Sequence, residues 1–219
     1  VYLMTTFKAL ESSKEEDQNT LSIIEKNIDD LPDGDILIKV SYSSLNYKDA
    51  LSASGSPGVT KNYPHTPGID AVGHVQESSD SAFKEGDVVI VTGYDLGMNT
   101  AGGFGQYIRV PAHWVIKLPN GLNEVEAMSL GTAGLTAGLS IQALEKYSST
   151  TGFEGSKSIV TGSTGGVGSI AVMLLSKLGS EVTAVTGKNT QKSFLENLGA
   201  SEVISREELS EMTRLPMGK

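Results

Sequence analysis

The stretch IVTGSTGGVGSIAV, residues 159–172, constrains the fold more than any other part of the chain. An apolar run breaks into Gly and Ser and then turns apolar again at helical spacing, which is the pattern of a strand that passes through a tight turn into a helix. Read against a G-x-G-x-x-G fingerprint, Ser163 stands at the first glycine, with Gly165 and Gly168 at the other two. Gly162 and Gly166 add permissive positions. A turn after a strand over 158–162 lets a helix starting near Val167 aim its free N–H groups at a pyrophosphate. Gly165 then spares that group a Cβ collision, and Gly168 lets the helix lie close to the sheet. Ser163, Thr164, Gly165, Gly166, Val167 and Gly168 are the candidate cofactor-binding residues of this turn, with a purely structural turn as the competing reading. The loop has no Lys-Ser or Lys-Thr ending, which argues against ATP hydrolysis.

The surrounding periodicity supports a nucleotide-binding context. Strand KSIVTG, helix GSIAVMLLSKLG, strand SEVTAVTG, helix NTQKSFLENLG and a short strand at SEVIS read as the opening of a doubly wound βαβαβ sheet. The final ELSEMTRLPMGK does not continue that pattern. Before it, from Phe7 to about Leu118, short β-rich runs such as TLSIIEKNI, DILIKVSYSSL and DVVIVTGY alternate with turns at LPDGD, SGSPG and FKEGD. That region predicts a small, irregular, mostly antiparallel barrel. From Asn123 the spacing becomes helical. The expected domains are therefore 1–122, β-rich, and 123–219, the first part of a Rossmann-type domain that is incomplete in this chain.

The end of the second parallel strand predicts which dinucleotide is preferred. NAD-selective sites commonly carry an acidic residue there for the ribose diol, and that charge repels a 2′-phosphate. Here the segment is VTGKNTQK. Its neutral groups and cations favour NADP(H), with Lys188 as the leading phosphate partner, Thr186 as a hydroxyl donor and Lys192 one turn further on. Each lysine is also explained as a solvated charge at a helix start.

Charge and composition remove other classes. With 17 Lys and Arg against 26 Asp and Glu, the formal charge of −9 opposes nonspecific association with nucleic acid or an anionic membrane. The chain has no cysteine, so disulfides, thiolate metal sites and cysteine nucleophiles are out. No apolar run spans a bilayer and no signal-peptide core opens the chain, which makes the cytoplasm the expected compartment. His65, His74 and His113 match no compact zinc spacing and are read as structural or surface residues.

A second diagnostic segment is SSLNYKDAL, residues 43–51, whose polar Asn46, Tyr47, Lys48 and Asp49 interrupt an apolar pattern. Together with YPHTPGIDAVGHV at 63–75, GTAGLTA at 131–137 and the glycine turn, it resembles the medium-chain dehydrogenase/reductase superfamily. Within that superfamily it is most similar to the zinc-independent quinone oxidoreductases of the YhdH and YhfP type, related to acrylyl-CoA reductase. The resemblance implies an α/β protein: a GroES-like β-rich catalytic domain, a Rossmann-type nucleotide-binding domain, a cleft between them, and a homodimer. It also implies no catalytic metal. Where zinc-dependent relatives place their first two ligands, this sequence has Asn46 and Ile69, and 129–139 supplies no third.

The implied activity is NADPH-dependent hydride transfer without metal to an activated alkene, such as acrylyl-CoA or another enoyl thioester; because the domain is incomplete here, this expectation attaches to the parent protein. A quinone is the alternative electrophile, and a noncatalytic NADP-binding sensor or interaction protein is the alternative class. Tyr47 and Asn46 are the candidate catalytic residues: Asn46 to fix the cofactor ribose or amide, Tyr47 to orient a carbonyl or relay a proton. Thr132 is a further cofactor-binding candidate through its hydroxyl.

Overall fold

The computed structural model describes residues 5–15, 18–147 and 152–212. The chain divides into two compact units, 1–132 and 133–219.

The first unit is β-rich. A hairpin of β1 (Thr6–Glu15) and β2 (Gln18–Asn27) precedes β3 (Ile36–Tyr42) and a short helix, α1 (Tyr47–Ala53). β4 (Asp70–Ser78), β5 (Val88–Thr92), β6 (Tyr107–Val110) and β7 (Val115–Lys117) complete an antiparallel sheet in the order β6-β3-β4-β5-β7. Alternation divides the strands' side chains between two faces. Ile36, Ile38, Val75, Val89, Val91, Ile108 and Val110 bury into one cluster. Val72 and Ile90 form another with Ala127 and Met128 of α2 (Glu124–Tyr147). Among the described residues β6 and β7 are sheet edges, so the expected barrel is not closed by continuous strand pairing. The hairpin instead meets the segment before β6 through Leu10 N to Phe104 O (2.9 Å) and Gln106 N to Lys8 O (3.0 Å).

The change to helical spacing at Asn123 coincides with α2, but the units part further along, where the helix breaks. Gly131 sits at φ 47° and ψ −150°, outside helical geometry. An ideal Cβ there would lie 2.6 Å from Asp70 Oδ2 and 2.7 Å from Ser44 Oγ, so the position demands glycine on two counts.

The second unit holds β8 (Lys157–Thr161), α3 (Gly166–Lys177), β9 (Glu181–Val185), α4 (Lys192–Asn197) and β10 (Glu202–Ile204). The strands are parallel in the order β10-β9-β8, as the opening of a doubly wound sheet requires. Val172 and Leu175 of α3, Val182 and Ala184 of β9, Leu195 of α4 and Ile141 of α2 form its core. One expectation is corrected in part. α5 (Arg206–Met212) follows β10, while the remainder of the final stretch, 213–219, lies outside the described residues. Ser205 N donates to Glu208 Oε2 at 2.6 Å, and Glu208 N donates to Ser205 Oγ at 3.1 Å. This reciprocal cap satisfies amides that a helix start leaves open and explains why so short a helix forms.

Candidate functional site

In the first unit the polar residues of SSLNYKDAL converge on a residue the sequence reading did not single out. Asp70 opens β4 and is fully buried. Its Oδ2 accepts from Ser44 Oγ (2.6 Å), Asn46 Nδ2 (2.8 Å) and Thr132 N (3.0 Å). Its Oδ1 accepts from Thr132 Oγ1 (2.7 Å), and its backbone carbonyl accepts from Ser43 Oγ (2.6 Å). A buried carboxylate is costly unless hydrogen bonds replace its water, and four side-chain and backbone donors do so here. The result draws Asn46 and Thr132, predicted from distant segments, onto one carboxylate.

Asp49 supports the same constellation from beneath. It is buried in the first turn of α1, accepting Asn46 N at 2.8 Å on Oδ2 and Ile69 N at 2.9 Å on Oδ1. Burial pushes its pKa above the ordinary carboxylate value, against the lowering by these bonds; nearby Asp70 adds to the rise. Asp49 thus fixes the backbone on which Asn46 and Asp70 stand. Tyr47 is placed differently: it is 81% exposed at the start of α1, so its hydroxyl is not a packing element. Lys48 is also exposed.

The histidines take structural or surface positions. His65 is buried and donates from Nε2 to Gly97 O at 2.8 Å; burial lowers its pKa. His74 faces Glu124 at 3.1 Å, and His113 meets the Tyr94 ring edge-on.

In the second unit the turn after β8 has the expected tightness. Gly165 N donates to Gly162 O at 2.9 Å, and α3 begins at Gly166, one residue before the expected start. An ideal Cβ on Gly168 would lie 2.3 Å from Gly162 O, so only glycine lets α3 seat this closely on the turn. Gly165, Gly166 and Val167 are exposed and Thr164 partly so, which leaves the first turn of α3 open for an anion. Ser163 differs from the expectation. It is fully buried; its hydroxyl donates to Val160 O at 2.6 Å and accepts from Val185 N at 3.0 Å, while its own N–H donates to Val185 O at 3.2 Å. These bonds make it a tie between the ends of β8 and β9 that shapes the turn.

At the end of β9, Thr186 is buried and its Oγ1 accepts from Lys188 N at 3.0 Å. Thr186, Lys192, Ile204 and Ser205 line a cavity of about 370 Å³. Lys188 is exposed, whereas Lys192 is also drawn toward Glu196 at 3.9 Å. A third cation was missed by the sequence reading: an ideal Cβ on Gly187 would lie 3.4 Å from Arg206 Nε, placing the guanidinium against the loop that carries Lys188. Its signal was the Ser-Arg-Glu-Glu run directly after the third strand. Neutral Thr186 with these cations fits the phosphorylated ribose of NADP(H), and the open, glycine-lined turn fits its pyrophosphate. Among the described residues no group of three or more His, Cys, Asp and Glu side chains converges.

Comparison with known proteins bears on both units. The alcohol dehydrogenase GroES-like domain family matches residues 32–120, inside the first unit. The acrylyl-CoA reductase AcuI of Ruegeria pomeroyi is 41% identical over 213 residues, covering 96% of this chain and 64% of that protein. The crystal structure of Escherichia coli K-12 YhdH with bound NADPH superposes with a TM-score of 0.87 at 39% identity, covering 96% of this chain and 64% of that one. That of Bacillus subtilis YhfP with NAD bound gives 0.89 at 44%, covering 98% and 65%. The chain therefore spans just under two thirds of the length of these relatives.

A GroES-like sheet joined to a Rossmann-like parallel unit with a glycine turn defines the medium-chain dehydrogenase/reductase class. Within that class the chain is a homologue of the YhdH, YhfP and AcuI oxidoreductases.

Proposed function

We propose that the whole protein is an NADPH-dependent oxidoreductase that transfers hydride without a metal to an activated alkene, with a short enoyl thioester of the acrylyl-CoA class as substrate. The observation that carries this reading is the corner at the end of β9, where a buried threonine hydroxyl, Lys188 and Arg206 replace the acidic residue of NAD-selective sites. Support comes from the relatives, one an acrylyl-CoA reductase and one carrying NADPH.

When bound, the cofactor supplies a hydride from nicotinamide C4. The chain's own residues do the rest. The first turn of α3 holds the pyrophosphate with backbone N–H groups, and Lys188 and Arg206 bind the 2′-phosphate. Asn46, fixed by the Asp70 carboxylate, orients the ribose or amide of the cofactor. One of the two Asn46 Nδ2 hydrogens donates to Asp70, so the second N–H is the donor the amide can offer the cofactor. Thr132, on the same carboxylate, follows Gly131, where α2 is kinked. Hydride added at Cβ of the thioester leaves negative charge on the carbonyl oxygen, which needs a donor, and a proton must then reach Cα. Tyr47, exposed at the start of α1, supplies the hydroxyl for that oxygen or relays the proton.

The test follows NADPH absorbance in the whole protein with acryloyl-CoA, crotonyl-CoA and a quinone. Acyl-CoA-dependent oxidation, with Tyr47→Phe lowering kcat about tenfold or more and leaving NADPH affinity in place, is expected. Oxidation by the quinone alone overturns the substrate assignment. Binding of NADPH with no turnover on any acceptor overturns the enzyme in favour of a sensor.

A further inference from the structure

We propose that the stacked rings of Tyr94 and Trp114 form a platform that binds a flat, uncharged π ring of the electrophilic substrate, an inference that rests on the reductase reading above. Tyr94 lies just beyond β5 with φ 53°, the single non-glycine residue at positive φ among the described residues. Glycine or asparagine adopts that region more readily than a bulky aromatic residue, so a tyrosine there calls for a reason in its side chain. Burial is not the reason, since the residue is 64% exposed.

The ring is nevertheless held in place. One face lies on Trp114, with centroids 5.3 Å apart and planes 8° from parallel. The His113 ring stands perpendicular to that of Tyr94, with centroids 5.7 Å apart and planes at 88°, and the Tyr94 hydroxyl donates to His113 O at 3.0 Å. Trp114 is itself anchored, packing against the core that includes Val89 and Val91. The outcome is a largely exposed aromatic surface, stacked on Trp114 and with few torsions left to freeze, a geometry suited to offset stacking.

Position and charge narrow what it takes. Thr92, at the end of β5, pairs with Asp70 of β4, so the platform starts just past the strand position opposite the carboxylate that holds Asn46. The charged residue next along the loop is Asp95, which accepts from Thr100 Oγ1 at 3.1 Å and Asn99 Nδ2 at 3.2 Å. An acidic neighbour disfavours phosphate and suits a neutral ring. Such a ring is either a quinone acceptor or the adenine of a CoA thioester.

Trp114 is the only tryptophan in the chain, so its fluorescence reads the platform directly. The full chain is titrated with duroquinone and, separately, with adenosine, without cofactor, while NADP⁺ affinity is measured on the same samples by calorimetry. Tyr94→Phe keeps the ring; Tyr94→Gly and Tyr94→Asn remove it and both suit the backbone. Expected is saturable quenching by adenosine, the ring of a CoA thioester, in the wild type and Tyr94→Phe, weakened about tenfold in Tyr94→Gly and Tyr94→Asn, with NADP⁺ affinity unchanged. Saturation by duroquinone instead keeps the platform and assigns the ring to a quinone acceptor. Linear quenching by both probes, or ring-deleted variants that saturate like the wild type, overturns the platform. Absence of NADP⁺ binding in the wild type overturns the reductase reading instead.

Discussion

At the scale of single residues, Asp70 has the largest consequences. Asn at this position retains one acceptor oxygen but turns an amide donor toward groups that are themselves donors, among Ser44 Oγ, Asn46 Nδ2, Thr132 N and Thr132 Oγ1. Asp70→Asn should therefore cost roughly 2–4 kcal/mol of first-unit stability, read as a lower urea midpoint from Trp114 fluorescence. An unchanged midpoint would mean that the carboxylate is dispensable. His65 sets a pH dependence of definite sign. Burial lowers its folded pKa below the ordinary 6.5, so the native state resists protonation that the unfolded chain accepts. Its contribution to stability is full above 6.5 and is lost as pH falls from there through the folded value. His65→Gln should flatten that slope in urea unfolding followed from neutral pH downward; an equally steep slope would assign the acid sensitivity to other groups. Of these two residues His65 was legible as structural, because its spacing fitted no metal site. Asp70 was not legible. It sits in an apolar strand run and gains its meaning only when folding brings Thr132, 62 positions away, against it.

At the scale of elements, the proposed function makes cofactor affinity depend on the helix–turn geometry. Gly168→Ala would set a methyl group 2.3 Å from Gly162 O, so α3 must shift away from the turn. The expected result is a loss of about 1–3 kcal/mol in second-unit stability and at least tenfold weaker NADP⁺ binding, measured by calorimetry. Wild-type affinity in that variant would show that the turn does not hold the phosphates. At the neighbouring corner, Lys188→Glu and Arg206→Glu should each weaken NADPH about tenfold or more while changing NADH by much less, because only the former carries a 2′-phosphate. Equal losses for the two cofactors would remove these residues from phosphate selection. The turn and Lys188 were legible because periodicity placed them at strand ends. Ser163 was legible as part of the turn, but not its inward orientation, which depends on Val185 N and Val160 O from two different strands. Arg206 escaped because the segment after β10 read as pattern loss, although Ser205 and Glu208 carried the spacing of a helix cap.

At the scale of the molecule, the switch from alternating to helical spacing located both architectures. The boundary between units is less visible in sequence, because α2 runs through it and the break depends on a glycine pressed against Asp70 and Ser44. Barrel closure was likewise beyond reach: strand runs give alternation but not which edges pair. Both units and their order agree with the YhdH and YhfP structures, and the proposed function requires one physical event, the binding of a phosphorylated dinucleotide at the β8 turn and the β9 corner. The most direct measurement is a calorimetric titration of the folded whole protein with NADP⁺ and with NAD⁺ under the same salt. Saturable binding of both with NADP⁺ at least tenfold tighter is predicted; no heat of binding with NADP⁺, or a preference for NAD⁺, would contradict it.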